Sequence, residues 1–148
     1  MQAALVPSLF VAAAFAASSA FALSTEQGGI VQGKYFASGN ASVAGVKVQY
    51  SRSKAHITNH GKIRGRVIKI ITSGGRVLSS GVYKIRGTVG GIQKKGRTFT
   101  APAKIQISDG VKVRGDFHGL VDKSQRLSRY FRGEISGDKN SNFVLRAR

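Results

Sequence analysis

Three histidines, His56, His60 and His118, are the side chains of this sequence best suited to acid–base or metal chemistry. Two histidines with a lysine can cleave RNA by acid–base catalysis, and three can bind a metal. On a strand, residues four apart lie about 13 Å from one another, so His56 and His60 meet only if the turn at Asn59-His60-Gly61 folds them together. A His-dependent secreted nuclease or phosphoesterase is therefore an alternative; the sequence predicts no catalytic residue, no metal and no cofactor.

The charge balance is the most informative property of the chain. Its 148 residues contain 24 Lys and Arg but only 6 Asp and Glu, and no acid lies between Glu26 and Asp109. Guanidinium groups match the oxygens of phosphate, sulfate or carboxylate. We therefore predict a non-enzymatic protein that binds a polyanion, which is lipopolysaccharide or phospholipid head groups, acidic polysaccharide or the backbone of a nucleic acid.

The fold class follows from alternating apolar and polar residues. In Val46–Tyr50 the apolar residues are the even ones, and in Val111–Phe117 they are the odd ones. Short turn signals such as Ser38-Gly39-Asn40, Ser73-Gly74-Gly75 and Ser108-Asp109-Gly110 separate these runs, which leaves no room for parallel crossovers. The pattern predicts a single all-β domain, an antiparallel meander of about eight to ten strands that forms an up-and-down barrel or a tightly coiled sandwich.

An internal repeat indicates how this sheet curves. Segments with the pattern apolar, Arg, Gly, any, apolar are Ile63–Val67, Ile85–Val89, Val113–Phe117 and Phe131–Ile135, and Val31–Tyr35 is a fifth copy with Gln in place of Arg. Alternation points the glycine inward and the arginine outward, and glycine inside a strand marks a sharp bend or a close backbone approach. The inward glycines also leave open a second alternative, a barrel-type carrier with a small apolar ligand inside.

The outward register collects the predicted anion ligands. They are Lys62, Arg64, Arg66, Lys84, Arg86, Lys104, Lys112, Arg114 and Arg132. Most aromatic residues fall on the opposite, apolar register, and only Phe36 and Tyr130 share the basic one. Single-strand nucleic-acid binding combines cations with aromatic platforms on one face, so base stacking is not supported.

The first 22 residues differ from the rest. They contain no charged side chain, and Ala20-Phe21-Ala22 has the form of a signal-peptidase site. We expect residues 1–22 to be a cleaved signal peptide, residues 23–148 to be the mature domain, and the protein to be exported, periplasmic or secreted. The alternative is a membrane anchor formed by residues 1–22. The absence of Cys is compatible with export and excludes thiol catalysis and Cys-based metal sites. The sequence does not indicate the oligomeric state.

Overall fold

The computed structural model describes residues 23–136, 138 and 140–148. These form one α-helix, α1, at Thr25–Val31, and a 3-10 helix at Lys123–Ser128. The strands are β1 Gly33–Val43, β2 Val46–Ile57, β3 Lys62–Ser73, β4 Arg76–Val89, β5 Gln93–Lys95, β6 Thr98–Ile107, β7 Lys112–Leu120, β8 Tyr130–Ile135 and β9 Asn142–Ala147. The signal peptide or anchor predicted for residues 1–22 lies outside the described residues. No helix within them is long and apolar enough to cross a membrane.

The strands form a closed antiparallel barrel. Neighbours run in the order β4-β3-β2-β1-β9-β8-β7-β6, and β4 also pairs with β6, which completes the circle. The short strand β5 forms a hairpin with β6 outside this circle. The predicted antiparallel meander is therefore confirmed as an eight-stranded up-and-down barrel.

Alternation places the aromatic side chains inside. Along β6, every second residue from Phe99 to Ile107 is buried and the residues between them are exposed. Phe117 contacts Tyr35 edge-on at 5.7 Å between ring centroids, and it lies 5.5 Å from Phe131. All three rings are fully buried. The interior is thus filled by its own side chains where these strands meet.

The repeated glycines bring neighbouring backbones together. A Cβ added at Gly87 would lie 2.1 Å from the carbonyl oxygen of Lys104, and one at Gly115 would lie 2.0 Å from that of Arg132. The inward glycines therefore mark close backbone approaches in a tightly coiled sheet, as predicted. The space that a side chain would fill is occupied by the adjacent strand.

Local structure differs from the sequence predictions in four places. The fifth repeat copy is not a strand, because Val31 ends α1 and Gly33 only begins β1. The predicted turn at Ser38-Gly39-Asn40 lies inside β1, where the register shifts beside Gly39. At Lys123-Ser124-Gln125 the sequence favours a hairpin bend over a helical turn, but the structure has the 3-10 helix there, with Asp122 as its N-cap. The helix α1 was not predicted, since seven residues are too few to show helical periodicity.

The two ends of the barrel are closed differently. At one end, which we call the helix end, lie α1, the 3-10 helix and the turn between β2 and β3. The α1 helix packs so closely on this turn that a Cβ at Gly28 would overlap the carbonyl of Asn59. At the opposite end, the carboxylate of Asp109 forms an ion pair with Lys69 and accepts a hydrogen bond from the Tyr50 hydroxyl.

Candidate anion-binding groove

Cations face one another across neighbouring strands on the outer surface. Arg64 lies directly opposite Arg86, and Arg66 lies opposite Lys84, where β3 pairs with β4. The pairing of β6 with β7 places Lys104 opposite Arg114 in the same way. Like charges directly opposite on a sheet repel one another, so the pairs between β3 and β4 are electrostatically unfavourable.

A shallow groove runs across β3, β4, β6 and β7. It has a volume of about 460 Å³, and its lining includes two polar side chains, Thr88 and Gln106, and no acid. Its six cations are Lys62, Arg64, Arg86, Lys104, Lys112 and Arg114. We call this the basic groove. Cations converging from four strands on one open groove can bind several oxygens of an anionic surface at once.

The nine residues predicted from the sequence are all exposed on the outer face. Six of them line the basic groove, and Arg66 and Lys84 form the adjacent cross-strand row. Arg132 lies apart on β8, opposite Asp116. Glu134, also on β8, lies opposite Arg114. The acids of β7 and β8 therefore mark one boundary of the cationic surface.

The histidines do not form one site. His56 lies on β2 opposite Arg64, and His60 lies in the turn that follows β2. His118 lies on β7, four strands away from β2 around the barrel, where its ring stacks on Tyr130 at 5.4 Å. Among the residues that the structure describes, no three His, Asp or Glu side chains are placed to bind a metal. The three histidines therefore do not share the single catalytic centre that a nuclease or phosphoesterase would require.

The two aromatic residues of the basic register are already covered by neighbours. The guanidinium of Arg52 lies 3.9 Å from the ring centroid of Phe36, and that of Arg148 lies 5.0 Å from it. Tyr130 stacks on His118. Neither ring is a free platform for a nucleic-acid base.

Apolar side chains exposed next to the cations were not singled out from the sequence. Val82 lies opposite Ile68, one row beyond the Arg66 and Lys84 pair on the same outer face. Val82 is 65% exposed and Ile68 is 40% exposed. Near the end of the hairpin, Val77 and Leu78 are exposed by 64% and 59%. We call Ile68, Val77, Leu78 and Val82 the apolar tip.

The apolar tip projects because the barrel closes along only part of β4. This strand pairs with β6 from Ile85 to Val89, whereas its pairing with β3 continues to Arg76. Beyond this pairing, no strand of the described residues covers the open edge of β4, so side chains near the end of the hairpin between β3 and β4 stay exposed. The signal in the sequence is a run in which Ile68, Ile70 and Ile71 depart from strict alternation.

At the end of the barrel opposite the helices, the carboxylate of Asp109 makes several contacts. Asp109 lies in a turn that the sequence predicts, and its carboxylate accepts a hydrogen bond from the backbone N–H of Val111. It also forms the ion pair with Lys69, the one salt bridge found among the described residues. Burial, followed by the charge of Asp109, raises the pKa of Tyr50 well above its usual range.

No protein-family model and no curated protein matches this chain. Among solved structures, it is similar to a redesigned β-barrel at 16% identity and a TM-score of 0.46, over 83% of this chain and 96% of that one. It is also similar to a de novo designed fluorescence-activating β-barrel at 16% identity and a TM-score of 0.45, over 83% of this chain and 98% of that one. The assignment of this chain as a β-barrel rests on its own strand pairing.

Proposed function

We propose that this protein is a β-barrel binding protein that attaches to anionic lipid surfaces through its outer face. The observation that carries the proposal is the convergence of Arg64, Arg86, Arg114 and three lysines on the basic groove, with no acid in its lining. Phosphate groups of phospholipid or lipopolysaccharide would neutralise cations that otherwise repel one another. The attachment involves no catalytic step, and export is the location we propose with it.

The apolar tip favours a lipid surface over a soluble polymer. Ile68 and Val82 continue the same outer face that carries Arg66 and Lys84. Exposed apolar side chains beside cations match a bilayer interface, where head groups are anionic and the acyl boundary is apolar. An acidic polysaccharide or a nucleic-acid backbone would contact the cations but leave the apolar tip in water.

The interior has less support as the binding surface. Tyr35, Phe117 and Phe131 contact one another inside the barrel and are fully buried. A carrier of a small apolar ligand would need that volume. Binding of a ligand on the outer face would require no rearrangement of the core.

The test compares vesicle binding with polymer binding. The protein is sedimented with vesicles of phosphatidylglycerol or of phosphatidylcholine and is separately applied to a heparin column. We expect binding to phosphatidylglycerol and heparin at low salt, loss of heparin binding at high salt, and little binding to phosphatidylcholine. A protein that passes through heparin at low salt and ignores phosphatidylglycerol vesicles would disprove the proposal.

Two pairs of substitutions separate the contributions of charge and apolar surface. Arg64→Gln with Arg86→Gln should weaken binding to both vesicles and heparin, whereas Leu78→Ser with Val82→Ser should weaken vesicle binding alone. The charge-matched control is Lys94→Gln with Lys95→Gln on β5, which lies outside the basic groove. If the serine variant binds vesicles like the wild type, the partner is a polymeric polyanion and the lipid proposal fails.

A further inference from the structure

Arg129 is the one basic residue among the described residues whose side chain is fully buried. It is 1% exposed, and its Nε and Nη2 atoms have no hydrogen-bond partner among those residues. Ser141, the other buried polar residue in the described part of the chain, satisfies its hydroxyl by bonding the backbone of Ile135 and Asp138. Arg129 therefore stands out as a buried charge with two of its three guanidinium nitrogens unpartnered.

The position of Arg129 is fixed by its backbone and stem. Its N–H donates to the carbonyl of Arg126, and its carbonyl accepts from the N–H of Ala147. Its aliphatic stem packs on Gly119, where an added Cβ would lie 2.9 Å from the Arg129 Cγ. The backbone and Cγ of Arg129 are thus held at the helix end, where the side chain is buried.

Among the described residues, no Asp or Glu side chain forms an ion pair with Arg129. Asp122 is the nearby carboxylate, but it is exposed and its Oδ1 accepts hydrogen bonds from the N–H and the hydroxyl of Ser124. Burial lowers the pKa of the Arg129 guanidinium, which reflects the unfavourable environment of its charge. A buried guanidinium is normally paired with an anion because its desolvation is otherwise uncompensated.

A cavity of about 360 Å³ adjoins Arg129. It lies between the start of β1, the 3-10 helix and the end of β9, and no Asp or Glu side chain lines it. Three further cations, Lys34, Arg126 and Arg148, line it together with Arg129 and Tyr35. These three are exposed, so the cavity is lined by one buried arginine and three exposed cations.

We propose that this cavity binds a small oxoanion of the phosphate class, with Arg129 as its buried ligand and Lys34, Arg126 and Arg148 at the entrance. A guanidinium presents N–H donors in a planar fork that matches two oxygens of such an anion. The site lies at the helix end and shares no lining residue with the basic groove. It therefore does not depend on the proposed lipid attachment.

The direct test observes Arg129 in the wild-type protein. Inorganic phosphate is titrated at constant ionic strength, set with chloride, while the ¹H–¹⁵N resonance of the Arg129 Nε is followed by NMR. The resonance is assigned by its loss in Arg129→Lys. We expect a saturable shift, and a resonance that does not respond to phosphate would overturn the proposal.

Variants locate the anion by thermal unfolding with and without phosphate. Arg129→Met keeps an aliphatic stem and should lose the phosphate-dependent rise in Tm, which corresponds to affinity weakened by about tenfold or more. Arg64→Gln with Arg86→Gln should keep that rise. The reverse pattern would assign the anion to the basic groove and overturn the proposal. If Arg129→Met does not fold, Arg126→Gln at the entrance should weaken the phosphate response, and an unchanged response would count against the site.

The last arm distinguishes sources of the anion. Glycerol 3-phosphate is compared with inorganic phosphate and with acetate. Tighter binding of glycerol 3-phosphate would identify a phosphomonoester, and tighter binding of inorganic phosphate would identify the free anion; both support the phosphate class. Acetate binding as tightly as phosphate would contradict it.

Discussion

Arg64 and Arg86 lie directly opposite one another on β3 and β4, and both side chains are exposed on the outer face of the barrel. The pairing of these strands fixes the separation of the two Cβ atoms, so both cationic side chains start from neighbouring points on the same face. Their repulsion is built into the fold, and a bound anion relieves it. Substitutions of these two arginines should therefore change both the stability of the protein and its binding of anions.

Removing one charge of this pair should stabilise the free protein. We expect Arg86→Gln to raise the free energy of unfolding by about 0.5 kcal/mol at low salt, because like charges opposite on a sheet are destabilising. The gain should shrink at about 1 M salt, where the Debye length is roughly 3 Å. Thermal unfolding at both salt concentrations measures it. Lys94→Gln, which removes a charge outside the pair, should give a smaller gain; an equal gain would mean that net charge alone is responsible.

The glycines of the repeat should not tolerate even a methyl group. We expect Gly115→Ala to cost about 3 kcal/mol, because the new Cβ would lie 2.0 Å from the carbonyl oxygen of Arg132. Gly91→Ala is the control, since a Cβ there has nothing within 4 Å, and it should change stability by less than about 0.5 kcal/mol. Urea unfolding compares the two, and similar stabilities would contradict the close approach of β7 and β8.

The ion pair of Lys69 and Asp109 should stabilise the end of the barrel opposite the helices. Lys69→Met leaves the Asp109 carboxylate without its cation, and we expect a loss of about 2 kcal/mol because both side chains are largely buried, at 15% and 8% exposure. Asp109→Asn removes the charge but keeps an oxygen for the Val111 N–H. A double-mutant cycle by urea unfolding should show coupling, so that the double variant is more stable than the sum of the single losses implies. Additive losses would show that the pair contributes little.

Stability should fall in alkaline solution because of buried tyrosine. Burial raises the pKa of Tyr35, whose hydroxyl donates to the carbonyl of Val31 at 2.7 Å. In the unfolded chain the same hydroxyl ionises near pH 10. Above that pH the unfolded state binds fewer protons than the folded state, so the free energy of unfolding decreases with pH, by up to about 1.4 kcal/mol per unit for this group. The stabilisation that comes from the neutral Tyr35 side chain is complete below pH 10 and is lost progressively as the pH rises above that value.

The variant Tyr35→Phe tests whether Tyr35 causes this decrease of the free energy of unfolding with pH. The variant should lose about 1 kcal/mol near pH 7, because the hydrogen bond to Val31 is removed. Its stability should then decline less steeply than that of the wild type between pH 10 and pH 11.5. Parallel declines in urea unfolding would assign the alkaline loss to other groups.

The sequence predicted the regular parts of the barrel because alternation reports burial directly. Thr98–Ile107 alternates perfectly between exposed and buried residues, and the repeat placed Arg64, Arg86 and Arg114 outside. It could not show how far one strand extends beyond its neighbour. The projection of β4 past Ile85 depends on its register with β6, a strand that is not adjacent in sequence order.

The sequence also could not single out Arg129. One arginine among many basic residues carries no signal of its own, and its burial results from packing on Gly119 across the helix end. The same holds for Asp109, whose turn was predictable but whose partner Lys69 lies forty residues earlier in the chain. Contacts of this kind depend on tertiary closure rather than on local pattern.

The repeat joins two properties that most proteins can vary separately. In Ile85–Val89 and Val113–Phe117, the residue that displays a positive charge immediately precedes the residue at which the backbone approaches its neighbour most closely. The intervals between the arginines are consequently dictated by the curvature of the main chain. Natural variants can exchange the cation for another side chain and keep the shape, but a variant that relaxes the curvature would also disperse the charges.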